Sequence, residues 1–191
     1  MIQFPPLPSW DALHPLVIHF PIALLLVVPF LIVVGALRPP EKGQIILYVA
    51  LALMIAGTLG TFLALATGEA AGKIAERTPQ IDAVLERHEE LAEATRISFS
   101  VLTVVFAAIL LVPRILGKVS GRLISTALPL VFLLFYAAGM LLLTNTAHNG
   151  GRLVHEFGVK AAVTSSPLPV AGRDANNSSP AAGGSQTADP D

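Results

Sequence analysis

Four long apolar stretches run through the chain, over residues 15–37, 45–66, 97–116 and 123–143. Each offers about 20 residues, the length at which a helix crosses the ~30 Å hydrocarbon core of a bilayer. A backbone with no water to bond must satisfy its own donors and acceptors, so these stretches are predicted to be helices. Residues 79–95 follow a different pattern. Ile81, Val84, Leu85, His88, Leu91, Ala92 and Thr95 recur at helical spacing, while Glu86, Arg87, Glu89, Glu90 and Glu93 fall mainly on the other faces. Thr78-Pro79 reads as the start of that helix, with a capping hydroxyl, proline in the first turn and Asp82 near the positive end of the dipole. The third helix is therefore expected to begin near Pro79 as an amphipathic extension and to run on into the membrane. The fold class expected is all-α, an integral membrane four-helix bundle over residues 1–162. Residues 163–191 are mostly Ala, Ser, Pro, Gly, Asn and Asp without periodicity. Too polar to bury anything, they are expected to form a disordered tail. Asn176 and Asn177 each match the glycosylation tripeptide, a motif common by chance.

Composition agrees with the bilayer as solvent: 53% of residues are hydrophobic and 13% charged, with a mean hydropathy of +0.70. The net charge of -1 gives no basic balance for nucleic acid. Cysteine is absent, which excludes disulfides, iron–sulfur clusters, covalently attached c-type haem and thiolate metal sites. Residues 1–13 carry no lysine or arginine, and the run that follows is too long for a signal-peptide core, so the first span is expected to be retained.

Charge in the connections orients the spans. The first span leaves through Arg38-Pro39-Pro40-Glu41-Lys42-Gly43 and the third through Arg114, Lys118 and Arg122, two tight basic loops. In the long second connection Lys73, Arg77 and Arg87 are diluted by Glu69, Glu76, Asp82, Glu86, Glu89, Glu90 and Glu93. Basic density in short loops sets topology, so the tight loops are expected on the cytoplasmic side and both termini outside. All five histidines, His14, His19, His88, His148 and His155, then fall at the outer face. The middle of each apolar stretch lacks Asp, Glu, Lys, Arg and His. Mid-membrane ionisable groups mark transport paths, and their absence disfavours solute transport.

Each candidate residue has a structural and a functional reading. His14 could cap its helix and His19 could bond a neighbouring one, or His19, roughly 8 Å deeper at 1.5 Å per residue, could bind a metal or haem. Pro21 cannot bond the carbonyl of Val17, which needs another partner. Ala52, Ala56, Gly60, Ala64 and Gly68 form a stripe of small residues that admits a close helix or a flat ligand. The stripe is expected to end in a turn at 66–72 that sets Glu69 at the interface, solvated or ligating. His88 faces with the apolar stripe of its helix and requires a hydrogen-bond partner or a ligand. Gly150-Gly151 allow a C-cap or bend that leaves His148 at a helix end, near Asn145, as a polar cap or a cation site.

The segments from His14-Pro15-Leu16-Val17-Ile18-His19-Phe20-Pro21 to Leu25, with Ala66-Thr67-Gly68, Arg87-His88 and His148-Asn149-Gly150-Gly151-Arg152-Leu153-Val154, resemble a bacterial family of small predicted membrane proteins, domain of unknown function 2231. The resemblance covers about residues 10–160. It implies a four-span domain of the bacterial inner membrane, sometimes fused or adjacent to cytochrome-type modules, with no established activity. The family commonly has a tyrosine near the position of His155 and a histidine near that of Phe157. This departure bears on His155 more than on His14, His19, His88 or His148.

Two functions follow as expectations; no catalytic set is assigned. The first is an electron-transfer module holding b-type haem or a histidine-bound metal at the outer end, exchanging electrons with a cytochrome, another extracytoplasmic redox partner or a quinone. His14, His19, His88 and His148 are its candidate cofactor ligands, and Glu69 or Glu90 would join them around a metal ion. The second is a non-enzymatic subunit or anchor whose histidines and asparagines cap helices and bind a partner.

Overall fold

A computed structural model describes residues 8–117 and 122–159, with side chains from 125 onward in the second stretch. The expected tail, both glycosylation tripeptides and Lys118 lie outside the described residues. After a short 3-10 turn at Trp10–Ala12, the described chain is helical: α1 (His14–Val17), α2 (His19–Leu37), α3 (Pro40–Ile74), α4 (Pro79–Ile115) and α5 (Arg122–His155). Four helices are long and apolar enough to cross a membrane, α1 and α2 counting together as one.

The boundaries follow from local chemistry. Pro21 has no N–H for the carbonyl of Val17, so one helical bond is missing where α1 meets α2, although Ile18 stays right-handed, at φ -61° and ψ -29°, and bonds His14 and Ile22 as in a helix. Arg38, held extended by the proline after it, ends α2, and Pro40 opens α3 in the first turn. This turn brings α2 and α3 into backbone contact. A methyl group on Gly43 would lie 2.2 Å from the Gly35 carbonyl oxygen, so no larger residue fits. Thr78 caps α4 by accepting the Ile81 N–H at 3.3 Å, and Arg77 pairs with Asp82 at 2.8 Å. Gly117, at φ +63°, closes α4 in the left-handed conformation that favours glycine.

Two local expectations are corrected. Residues 66–72 form no turn, because α3 stays helical to Ile74. Gly150-Gly151 form no cap or bend, because α5 runs on to His155 and the left-handed residue is Gly158, at φ +69°. Glycine permits a turn without imposing one, and Gly68, Gly72 and Gly150 each lie against a side chain of another helix, His14, Glu89 and His88. After α5, Val159 N–H bonds the Leu153 carbonyl, and Phe157 and Val159 fold back on Ile81, Val84, Leu85 and Leu153.

Helix α2 packs against α3, α3 against α4, α4 against α5, and α5 back against α2. The core between them holds Leu25, Val28, Ile32, Met54, Phe99, Phe106, Phe132 and Tyr136. Only 22 to 39% of each apolar window is buried within the protein, and residues such as Phe30, Leu59, Val104, Leu134 and Phe135 are exposed. So much outward apolar surface is stable against lipid, not water. Polar groups in this interior are paired. Pro29 cannot bond the carbonyl of Leu25, and the buried Tyr136 hydroxyl donates to it at 2.6 Å. Thr58 and Thr103 share a hydroxyl contact at 2.8 Å, and Thr95 and Thr146 another at 2.9 Å.

Candidate functional site

The start of α1, the end of α3, the start of α4 and the end of α5 meet at one end of the molecule around a cavity of about 440 Å³. His14, His19, His88 and His155 all line it, with Asp11, Glu69 and Glu89.

His14 and His88 are seated in the same way. The Nδ1 of His14 lies 2.9 Å from the Ala64 carbonyl oxygen on α3, and that of His88 lies 2.9 Å from the Thr146 carbonyl oxygen on α5. Four residues beyond each carbonyl stands a glycine under the imidazole. A methyl group on Gly68 would come within 2.9 Å of His14 Cε1, and one on Gly150 within 3.0 Å of His88 Cε1. Each histidine therefore rests on a carbonyl and a glycine one helical turn apart on a neighbouring helix. A carbonyl can only accept, so Nδ1 carries the proton in both rings, and in the neutral form Nε2 keeps the lone pair. Hydroxyls surround the two seats. Thr67 lies 3.3 Å from His14 Nδ1 while donating to the Leu63 carbonyl at 2.9 Å, and the Thr95–Thr146 contact brackets His88. The two rings stand edge to face with centroids 6.4 Å apart and planes at 82°.

The other candidates are placed differently. His19 is exposed at the cavity and bonds the Pro15 carbonyl of its own N-terminal turn at 2.5 Å. His148 is exposed and outside the lining, while His155 is exposed but within it. Glu69 is an exposed lining residue, and Glu90 is engaged with Arg87 at 3.0 Å. Asn145 and Asn149 donate to the Leu141 and Asn145 carbonyls of their own helix, so neither is committed to the cavity. Beyond α5, the carboxyl group of Glu156 is held below the usual carboxylate range by its hydrogen bond to Arg152.

The pairing of His14 with His88 was not readable along the chain, because 74 positions separate them and nothing local distinguishes His14 from His19. The carbonyl-and-glycine seats were a usable signal in retrospect. Ala64 and Gly68, like Thr146 and Gly150, are four apart on helices, each near the end of its span. Among the described residues no three His, Cys, Asp or Glu side chains come close enough to hold a metal ion between them. Of the four histidines at the cavity, His14 and His88 are the two whose rings lie against each other.

No curated protein and no solved structure matches the chain. A family model does, over residues 10–163, a stretch that takes in α1 to α5 and every residue of the histidine cavity. The chain belongs to the predicted membrane protein family DUF2231.

Proposed function

We propose that this protein is a b-type haem-binding electron-transfer module of the bacterial inner membrane. In this reading the four spans form a bundle whose histidine end, with the α4 extension, faces outside the cytoplasm. His14 and His88 would hold the haem. The observation that carries the reading is the 6.4 Å separation of two rings whose Nδ1 atoms are already committed to carbonyls. Two rings this close, each with its second nitrogen held by a carbonyl, would be able to share one group in the cavity. A backbone acceptor on the second ring nitrogen is the usual support of a metal-bound histidine, since it fixes the tautomer and raises ligand basicity.

The donor set favours haem over a bare ion. A structural or catalytic ion needs three or four protein ligands, whereas a porphyrin supplies four nitrogens and asks one or two of the protein. The cavity is within the range of ligand pockets, about 300–1,000 Å³. Gly68 and Gly150 let the imidazoles sit close to α3 and α5 and leave the space between them open. When bound, haem supplies a one-electron couple. The chain would hold the group through His14 and His88, whose rings are oriented by the Ala64 and Thr146 carbonyls, and would screen it with the apolar wall of Ile18, Ile22, Leu85 and Leu143. The acidic rim of Asp11, Glu69 and Glu89 favours a cationic redox partner, such as a basic cytochrome.

The test is the visible spectrum of protein purified from haem-replete cells. Low-spin Soret and α bands that shift on reduction are expected, lost in His14→Ala and His88→Ala and kept in His19→Ala and His148→Ala. A colourless protein that takes up no added haem overturns the reading. The anchor alternative is favoured by a specific observation: among the described residues every buried polar side-chain atom is already hydrogen-bonded without a ligand. It predicts no cofactor and a partner complex that survives His88→Ala.

A further inference from the structure

The end of the molecule opposite the histidines has a cavity of its own, independent of the haem reading. About 450 Å³ in volume, it lies where α2 ends, α3 begins, α4 ends and α5 begins. Its wall is largely apolar, formed by Leu47, Ile109, Leu110, Pro113, Leu128 and Pro129, and Arg38, Gln44 and Arg114 line it too. Arg114, exposed at the cavity, makes a long 3.5 Å contact to the Tyr48 hydroxyl, which also accepts from Gln44 at 3.3 Å. The backbone at Arg38 is set by the close contact of Gly35 with Gly43 on either side of it, and its side chain is exposed. Among the described residues neither arginine is in an ion pair, and the nearby acid, Glu41, is exposed. Pro113 also cannot donate to the carbonyl of Ile109 in this wall.

We propose that this cavity binds an anionic phospholipid, its phosphate met by Arg38 and Arg114 and an acyl chain laid along the apolar wall. Charge complementarity selects an anion, because Arg38, Lys42 and Arg114 face a single Glu41 along these segments. The wall selects a lipid over a free phosphate, since a soluble anion would have no apolar group to pack against Leu47, Leu110 and Leu128. A basic pocket between transmembrane helices is the usual setting for such headgroups. A quinone would fill the wall but give the two guanidinium groups no charge to meet.

The experiment uses the full chain purified in detergent. Melting temperature and native mass spectra are recorded with added phosphatidylglycerol, phosphatidylcholine, glycerol 3-phosphate or ubiquinone. Saturable retention of phosphatidylglycerol with a rise in melting temperature is expected, weakened about tenfold or more in R38Q/R114Q and unchanged in R77Q, which lies at the histidine end. Should the double variant fail to fold, Leu128→Trp narrows the exposed edge of the cleft without touching either arginine, and the same weakening is expected. Equal retention of phosphatidylcholine, an equal effect of glycerol 3-phosphate, or binding of ubiquinone in place of lipid each overturns the proposal.

Discussion

At the scale of single residues, a neighbouring proline or glycine governs most of the polar chemistry. Tyr136 is 1% exposed and donates to the Leu25 carbonyl, the acceptor that Pro29 leaves unbonded. Tyr136→Phe removes that donor inside an apolar core, and an unsatisfied buried acceptor costs about 1–3 kcal/mol. Unfolding in mixed micelles should show this loss, and Pro29→Ala in the same chain should recover most of it by restoring a helix N–H. Failure of the second substitution to rescue the first would separate the tyrosine from the proline. The glycine seats allow a similar comparison. Gly150→Leu drives a side chain into the His88 ring, and Gly151→Leu, with nothing within 4 Å of its added carbon, does not. Under the proposed haem reading, haem content per protein should fall severalfold in the first and stay near that of the parent in the second. Equal content would show that the seat does not position the ligand.

At the scale of elements, helix ends are where sequence patterns were most and least informative. The start of α4 was legible because each of its parts acts locally: Thr78 caps, Pro79 fits the first turn and Asp82 meets Arg77. Thr78→Ala should cost about 1 kcal/mol. Amide exchange should then quicken at Ile81–Leu85 and not at Phe99–Phe106. The ends of α3 and α5 were misread because Gly68, Gly72, Gly150 and Gly151 looked like punctuation. In the folded chain, His14, Glu89 and His88 lie against the first three, and a close partner keeps a glycine helical where an isolated segment would turn. Gly43 is the converse case. Gly43→Ala forces a carbon into the Gly35 carbonyl, and a marked loss of folded protein is expected, measured as the fraction surviving gel filtration in mild detergent.

At the scale of the whole molecule, the chain divides by charge and chemistry into two ends. The histidine cavity joins α1, α3, α4 and α5 at one, and the arginine-lined cavity joins α2 to α5 at the other. Between them run the buried aromatics, Phe99 edge-on to Tyr136 at 5.5 Å and Phe106 stacked on Phe132 at 4.9 Å. The proposed orientation, argued from the basic short loops, puts the arginine end in the cytoplasm. The chain has no cysteine, so single introduced thiols report topology without background. In intact spheroplasts an impermeant maleimide should label Glu76→Cys and spare Glu41→Cys until the membrane is opened. The reverse pattern would invert the orientation and move the proposed haem to the cytoplasmic side.

The sequence by itself determined the helical class, the four apolar lengths, the cap of α4 and the grouping of the histidines at the ends of spans. Each depends on interactions within a few residues or on transfer from water to lipid, which composition and period record directly. Tertiary structure alone decided which histidines meet. His14 reaches Ala64 across 50 positions and His88 reaches Thr146 across 58, and both distances depend on how neighbouring helices dock. Docking in turn rests on where glycine lets two backbones approach and which carbonyls proline leaves to a side chain. Those are properties of pairs of helices, and no period along one chain records them.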